Sequence, residues 1–244
     1  MFAAFRGLWR HRTLPADASR KQSAEWLHET CVRGLRAIHV QLEVHGTPPS
    51  HGLVVSNHLT YLDILCYSAA VPCVFVSKAE IEEWPIFGKY ARWSGSVFVR
   101  RHDRGDAARA NVNVSQSLSD GVPVVLFPEG TTTDGHRILR FHSTMLQPAI
   151  DIGARIAPCA IHYDLDNGDP AREVSWYGDM PLLPHFWNLA SKKSIHARIV
   201  FGDALMAAGD RKQLSHTLHE QVVHLYRDGS AVEPVASASG QQIR

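Results

Sequence analysis

The chain contains no cysteine pair at C-x-x-C spacing, no G-x-S-x-G turn and no H-E-x-x-H segment. Its 4 cysteines, at positions 31, 66, 73 and 159 of 244, are too scattered for a disulfide framework. They read as reduced thiols filling a core. Without the serine elbow the ordinary signature of an esterase is missing, and without the paired histidines that of a zinc protease. The 15 histidines are spread along the chain and form no ligand cluster. An excess of charge is missing too: a formal net charge of +1 argues against a nucleic-acid binder. The longest nearly uninterrupted apolar run, Ile64 to Val76, is broken by Ser68 and Pro72. It falls short of the ~20 residues that a bilayer crossing needs. Met1 to Arg12 lacks the apolar centre of a secretory signal.

No acidic residue occurs before Asp17, and the N-terminus is patterned. Phe2, Phe5, Leu8 and Trp9 recur at helical spacing, with Arg6, Arg10 and Arg12 between them. The pattern suits a helix lying on an anionic membrane surface; a helix docked on its own domain would show it as well. Ser19 or Ser23 then starts a helix to about Gly34, with Trp26, Leu27, Cys31 and Leu35 on one side. Residues 1–35 are therefore read as amphipathic, membrane-contacting helices, and residues 36–227 as one folded domain. Residues 228–244, rich in Ser, Ala, Gly and Gln, read as a disordered tail.

Within the domain, strand and helix patterns alternate. Ile38, Val40, Leu42 and Val44 interleave with polar neighbours, as in a half-buried strand. Leu53–Ser56, Cys73–Val76, Ser96–Val99, Val122–Phe127, Arg155–Tyr163 and Ile195–Phe201 read as further strands, with another near Glu173–Tyr177. Helices are expected over Asp63–Ala70, from Pro85 to a stop at Gly95, over Asp106–Leu118, near Ser143–Gly153 and over Arg211–Tyr226. The fold class is α/β: a single domain with a mixed, largely parallel sheet covered by helices on both faces.

The stretch Ser56-Asn57-His58-Leu59-Thr60-Tyr61-Leu62-Asp63 stands where a strand hands over to a helix, a common place for binding groups in such folds. On one continuous helix His58 and Asp63 would lie about 140° apart. They meet only if His58 is in the turn and Asp63 in the first helical turn, with Thr60 as the N-cap. Asp63 then either caps the helix or accepts a hydrogen bond from one nitrogen of His58, leaving the other as a base. Two further loops follow apolar strands. Arg100-Arg101 offers guanidiniums suited to bidentate capture of phosphate. Glu129-Gly130-Thr131 offers a carboxylate, backbone N–H groups and a hydroxyl. Singly these would read as a solvated pair, a surface carboxylate and a plain turn. Together, at the ends of parallel strands, they point to one site.

Asn57-His58 with Asp63, Gly95 to Arg101, Phe127 to Thr131 and Ile156 to Cys159 resemble the four ordered blocks of the glycerolipid acyltransferases. The likeness covers about Val40 to Phe201 and is closest to the bacterial 1-acyl-sn-glycerol-3-phosphate (lysophosphatidic acid) acyltransferase-like branch. It implies an acyltransferase domain over 36–227, working in phospholipid biosynthesis from the cytoplasmic face of the inner membrane, peripheral or monotopic. His58 would be the general base and Asp63 its orienting partner. Asn57, Arg100, Arg101, Glu129, Gly130, Thr131 and Pro158 would bind substrate. The acceptor would be a lysophospholipid, and the donor acyl-CoA or acyl carrier protein. No cofactor, metal or nucleic-acid partner is implied. Oxyanion donors are expected near the His58 turn or at Gly130.

One position departs from many relatives, which follow the Glu-Gly-Thr triplet with an arginine; here it is Thr132. That keeps an alternative acceptor open, lyso-ornithine lipid or another lysolipid. Rivals of another class are an acyl thioesterase and a non-catalytic lipid-binding module on the membrane surface.

Overall fold

The structure is a computed structural model that describes residues 17–79, 92–99, 104–231 and 241–243, with Leu14 and Gly88 besides. The expected interfacial helix at Met1–Arg12, the start of the helix from Pro85 and the pair Arg100-Arg101 lie outside the described residues; that helix is seen at Arg92 and Trp93 and stops at Gly95, at φ +72°.

Helix α1, Arg20–Ala37, begins where Ser19 closes a capping box with Gln22: each side chain accepts from the other's backbone N–H. Strand β1 (Val40–His45) ends at Gly46, whose φ of +77° only glycine adopts without strain. A β-carbon there would sit 2.3 Å from the Phe201 carbonyl oxygen. Then come β2 (Leu53–Ser56), α2 (Leu62–Ala70), β3 (Val74–Lys78), β4 (Val97–Val99), α3 (Arg104–Ser119) and β5 (Val124–Leu126). A 3₁₀ turn at Ser143–Leu146 runs into α4 (Gln147–Asp151), followed by β6 (Arg155–Asp164), α5 (Pro170–Glu173), α6 (Leu182–Ala190), β7 (Ile195–Phe201), β8 (Leu205–Met206), α7 (Arg211–Ala231) and β9 (Gln241–Ile243).

The strands join one sheet in the order β4-β3-β5-β2-β6-β7-β1-β9, with β8 paired to β6. β4, β3, β5, β2 and β6 run parallel, so their carboxyl ends open on one side. β7, β8 and β9 make the antiparallel joins. Side chains along β2 alternate between faces: Val54 enters a core with α1 and α2, while Leu53 and Val55 enter a second core with α3, α4 and α7. The sheet is thus covered on both faces, as its continuous apolar strands require. All four cysteines are buried and unpaired. Burial pushes the Cys31 thiol up to about 12 and raises Cys66, Cys73 and Cys159 as well, so none supplies a thiolate nucleophile.

Some expectations need correction. No strand forms at Glu173–Tyr177. Asp169 caps a short helix with Pro170 in its first turn, and Trp176 then donates its N–H to the Leu59 carbonyl. The C-terminal helix reaches Ala231, into the segment read as tail. Gln241–Ile243 pair antiparallel with β1, where the edge strand offers free backbone groups.

Candidate active site

Neighbouring parallel strands β2 and β5 leave the sheet at the same end, so the loops that follow them lie side by side. The first residue past β2 is Asn57, and its side chain is fully engaged. Its Nδ2 donates to the Ile161 carbonyl at 3.1 Å, and its Oδ1 accepts the Ile161 N–H at 2.9 Å. The amide thus prolongs the β2–β6 ladder beyond Ser56 with side-chain atoms in place of backbone. Tyr67 donates to Ser56 Oγ at 2.6 Å, and Ser56 to Asn57 Oδ1 at 3.3 Å. With Asn57 buried to 1% exposure, this network sets the direction in which the chain leaves β2.

His58 follows, and every part of it but one is held. Its backbone N–H donates to Glu129 Oε1 at 2.8 Å, and its carbonyl accepts the Thr133 N–H at 3.0 Å. Its ring stacks on Phe127, with centroids 4.1 Å apart and planes 9° apart. Nδ1 lies 2.7 Å from Asp63 Oδ2. An ionised carboxylate can only accept, so the shared proton sits on Nδ1 and Nε2 carries the lone pair. The ring is partly exposed, with 19% side-chain accessibility, and Nε2 has no hydrogen-bond partner among the described residues.

Both readings of Asp63 hold at once. Oδ2 takes the backbone N–H groups of Leu59 (2.7 Å) and Thr60 (3.2 Å) as well as His58. Oδ1 takes the Tyr163 hydroxyl at 2.7 Å. Asp63 therefore closes the turn before α2 and orients the imidazole with the same carboxylate. Thr60 is not the N-cap: α2 starts at Leu62, after Tyr61, and Thr60 Oγ1 accepts only a long 3.5 Å contact from Leu62 N–H.

Glu129 is the second buried carboxylate, 3% exposed. Oε1 takes His58 N–H, and Oε2 takes Leu139 N–H at 2.7 Å. Burial pushes its carboxyl up to about 7, against those hydrogen bonds; the nearby Asp63 charge pushes the same way as burial. Gly130 is buried at φ +73°, with its N–H on the Phe127 carbonyl, and Thr131 is exposed. The backbone donors expected for an oxyanion are thus taken: His58 by Glu129, Leu59 and Thr60 by Asp63, and Gly130 by Phe127.

Pro158 lies buried in β6 opposite Val55. Its carbonyl accepts the Gly202 N–H at 2.9 Å. In a strand the N–H of a residue points the same way as its C=O, so the donor that proline lacks falls at the break between β7 and β8. Arg100 and Arg101 lie outside the described residues; β4, which precedes them, ends on the same side of the sheet as β2, with β3 and β5 between.

Tyr163, Leu139 and the stacking of Phe127 on His58 escape the sequence reading. Tyr163 closes an apolar strand pattern in the sequence, and only the pairing of β6 with β2 shows that its polar tip reaches the site. Leu139 contributes only a backbone N–H, which no side-chain pattern reveals. A cleft of about 200 Å³ is lined by Leu59, Gly135, Tyr163, Ser175 and Tyr226 among others, but not by His58. It is smaller than the ~300–1,000 Å³ of pockets that enclose a ligand, so the reaction is not assigned to it.

What this geometry offers chemically is a base: an oriented imidazole with one free nitrogen, at the carboxyl end of a central strand. Residues 29–162 match the model of the acyltransferase family, and the chain belongs to that family. It is 34% identical over 203 residues to the 1-acyl-sn-glycerol-3-phosphate acyltransferase of Neisseria meningitidis serogroup B, covering 81% of this chain and 79% of the relative. It is 32% identical over 210 residues to the lyso-ornithine lipid O-acyltransferase of Pseudomonas aeruginosa, covering 84% and 78%. The crystal structure of the 1-acyl-sn-glycerophosphate acyltransferase of Thermotoga maritima superposes with a TM-score of 0.66, covering 96% of this chain and 90% of that one. At 18% identity that likeness is one of fold.

Proposed function

We propose that the protein moves a fatty acyl group from an acyl thioester to the free hydroxyl of a lysophospholipid, with 1-acylglycerol-3-phosphate as acceptor and phosphatidic acid as product. The reading rests above all on the His58–Asp63 pair with its free Nε2. His58 Nε2 takes the proton of the acceptor hydroxyl as that oxygen bonds to the thioester carbonyl carbon. The tetrahedral oxyanion then collapses, the C–S bond breaks, and the departing sulfur receives the proton back from Nε2. A thiolate leaves readily, so no covalent enzyme intermediate is needed. An imidazole with one lone pair free is the side chain best suited to move a proton at neutral pH.

The donor is acyl-CoA or acyl carrier protein, bound as substrate; no further cofactor is required. Arg100, Arg101, Gly130 and Thr131 bind the acceptor's phosphate in this reading, as the resemblance implies. Asn57, Glu129 and Pro158 serve it indirectly, by holding the loops. In this reading the segment before α1 keeps the enzyme on the cytoplasmic face of the inner membrane, peripherally or monotopically, because Leu27, Cys31 and Leu35 of α1 are spent on the domain's own core. No described helix is long and apolar enough to cross a bilayer. Thr132, where many relatives carry arginine, leaves lyso-ornithine lipid or another lysolipid as the alternative acceptor.

The test is a panel of lysolipids offered with one labelled acyl-CoA, following both labelled product and free thiol. Thiol release that requires lysophosphatidic acid and yields labelled phosphatidic acid is the expected result. Full-rate release without any lysolipid would make the protein a thioesterase, and lipid binding without transfer would make it a surface module.

A further inference from the structure

Asp63 is wholly buried, and its oxygens are not equivalent. Oδ2 serves His58 and the turn, whereas the partner of Oδ1 among the described residues is the Tyr163 hydroxyl at 2.7 Å. Tyr163 sits near the end of β6, the strand paired with β2, so its hydroxyl is brought to Asp63 by the same ladder that delivers His58. Its other polar neighbour is Cys66 Sγ at 3.6 Å, a weak acceptor that does not compete with a carboxylate. From this geometry, and on the basis of the acyl transfer proposed above, we infer that Tyr163 is a positioning residue of the reaction. Its hydroxyl fixes the rotation of the Asp63 carboxylate and draws off part of its charge, so that Oδ2 holds the Nδ1 proton of His58 and Nε2 remains the base.

Physical chemistry supports the assignment in two ways. A buried carboxylate oxygen without a donor is costly and more basic. Burial and the Asp63 charge both hold the Tyr163 phenol well above its ordinary range, so it stays a neutral donor throughout the working pH. The ring of Tyr163 packs in the core with α1 and α2, a role that phenylalanine fills equally well. Packing and hydrogen bonding can therefore be separated by experiment.

Tyr163→Phe keeps the ring and removes the donor. Its kcat should fall about 10- to 100-fold, as when other outer-shell partners of a functional histidine are lost. KM for the acceptor should stay within about twofold, and the acid limb of kcat/KM should move to higher pH. In an Asp63→Asn background the same substitution should cost less than about twofold more, because the hydroxyl acts only through that carboxylate. Fluorotyrosine incorporated at position 163 preserves shape while strengthening the donor, and should move the acid limb to lower pH. Should Tyr163→Phe fail to fold, the fluorotyrosine protein decides alone. Equal losses in both backgrounds with an unmoved pH profile would reduce Tyr163 to packing, and a rise in KM alone would make it a substrate contact. Both results overturn the inference. Retained turnover in His58→Ala would instead sink the base assignment on which it depends.

Discussion

At the residue scale, the site separates groups that act from groups that hold. Asp63→Asn removes the ionised acceptor for Nδ1 and allows the wrong tautomer of His58, so kcat should drop about a thousandfold or more with little change in fold. A variant within tenfold of the parent in steady-state assay would contradict that role. Asn57→Ala should behave differently. It strands the Ile161 N–H and C=O in a dry sheet, for a loss of roughly 2–4 kcal/mol in unfolding free energy, while the acceptor KM of the folded fraction stays near the parent value. A large rise in KM at unchanged stability would return Asn57 to the substrate. The sequence separates these cases poorly. The His58–Asp63 spacing predicts that the pair meets only across a turn, and it does. The asparagine beside it gives no sign that its amide is spent on a strand about a hundred residues away. Likewise Tyr163 reads as one more apolar-strand residue until the β2–β6 pairing is known.

At the element scale, the loop after β5 and the turn after β2 form one unit. Glu129 bridges His58 N–H and Leu139 N–H, and Thr133 returns a bond to the His58 carbonyl. Glu129→Gln replaces one accepting oxygen with a donor facing a backbone N–H. It should therefore loosen the loop, raising amide exchange at Leu139 and His58 and lowering kcat more than acceptor KM. Unchanged exchange at both amides would show that the clamp is unimportant. Gly46 makes the same point for the sheet: Gly46→Ala puts a methyl on the Phe201 carbonyl in a left-handed backbone. It should cost roughly 2–4 kcal/mol, seen as a lower urea midpoint. The elements with regular patterns are legible in the sequence: β1, β2, β6, β7, α1 and α3 fall close to their expected bounds, and α7 starts where expected. What misleads is the Glu173–Tyr177 stretch, whose apolar residues suggest a strand although the helix started by Asp169-Pro170 runs to Glu173 and leaves the rest irregular. A short cap outweighs periodicity over so few residues.

At the scale of the whole molecule, buried groups give opposing pH dependences. Glu129 is raised to about 7, so the folded state holds a proton the unfolded chain has released, and its contribution is lost as pH rises from about 4.5 to 7. His162, stacked on Tyr226, is lowered to about 4 by burial and the Arg198 charge. Its contribution is lost as pH falls from about 6.5 to 4. Each is worth up to roughly 3 kcal/mol, and between about pH 4.5 and 6.5 they oppose each other. His162→Phe should therefore unmask the carboxylate: the variant's unfolding free energy should fall with rising pH between 5 and 6.5, where the parent's is nearly flat. A parallel pair of urea-unfolding curves across that range would argue against this balance. Membrane contact also belongs to this scale. Removing residues 1–14 should reduce sedimentation with anionic vesicles while sparing turnover of detergent-dispersed acceptor. Unchanged sedimentation would shift the contact to α6, whose Leu183 and Trp187 are 68% and 56% exposed. The α/β architecture is legible because apolar strands alternating with helices admit little else. The loop convergence is not, because it depends on strand order. Most direct of all is single-turnover acyl transfer from acyl-CoA to lysophosphatidic acid by purified, folded His58→Ala. The account predicts a loss of at least about a hundredfold, and wild-type turnover would contradict it.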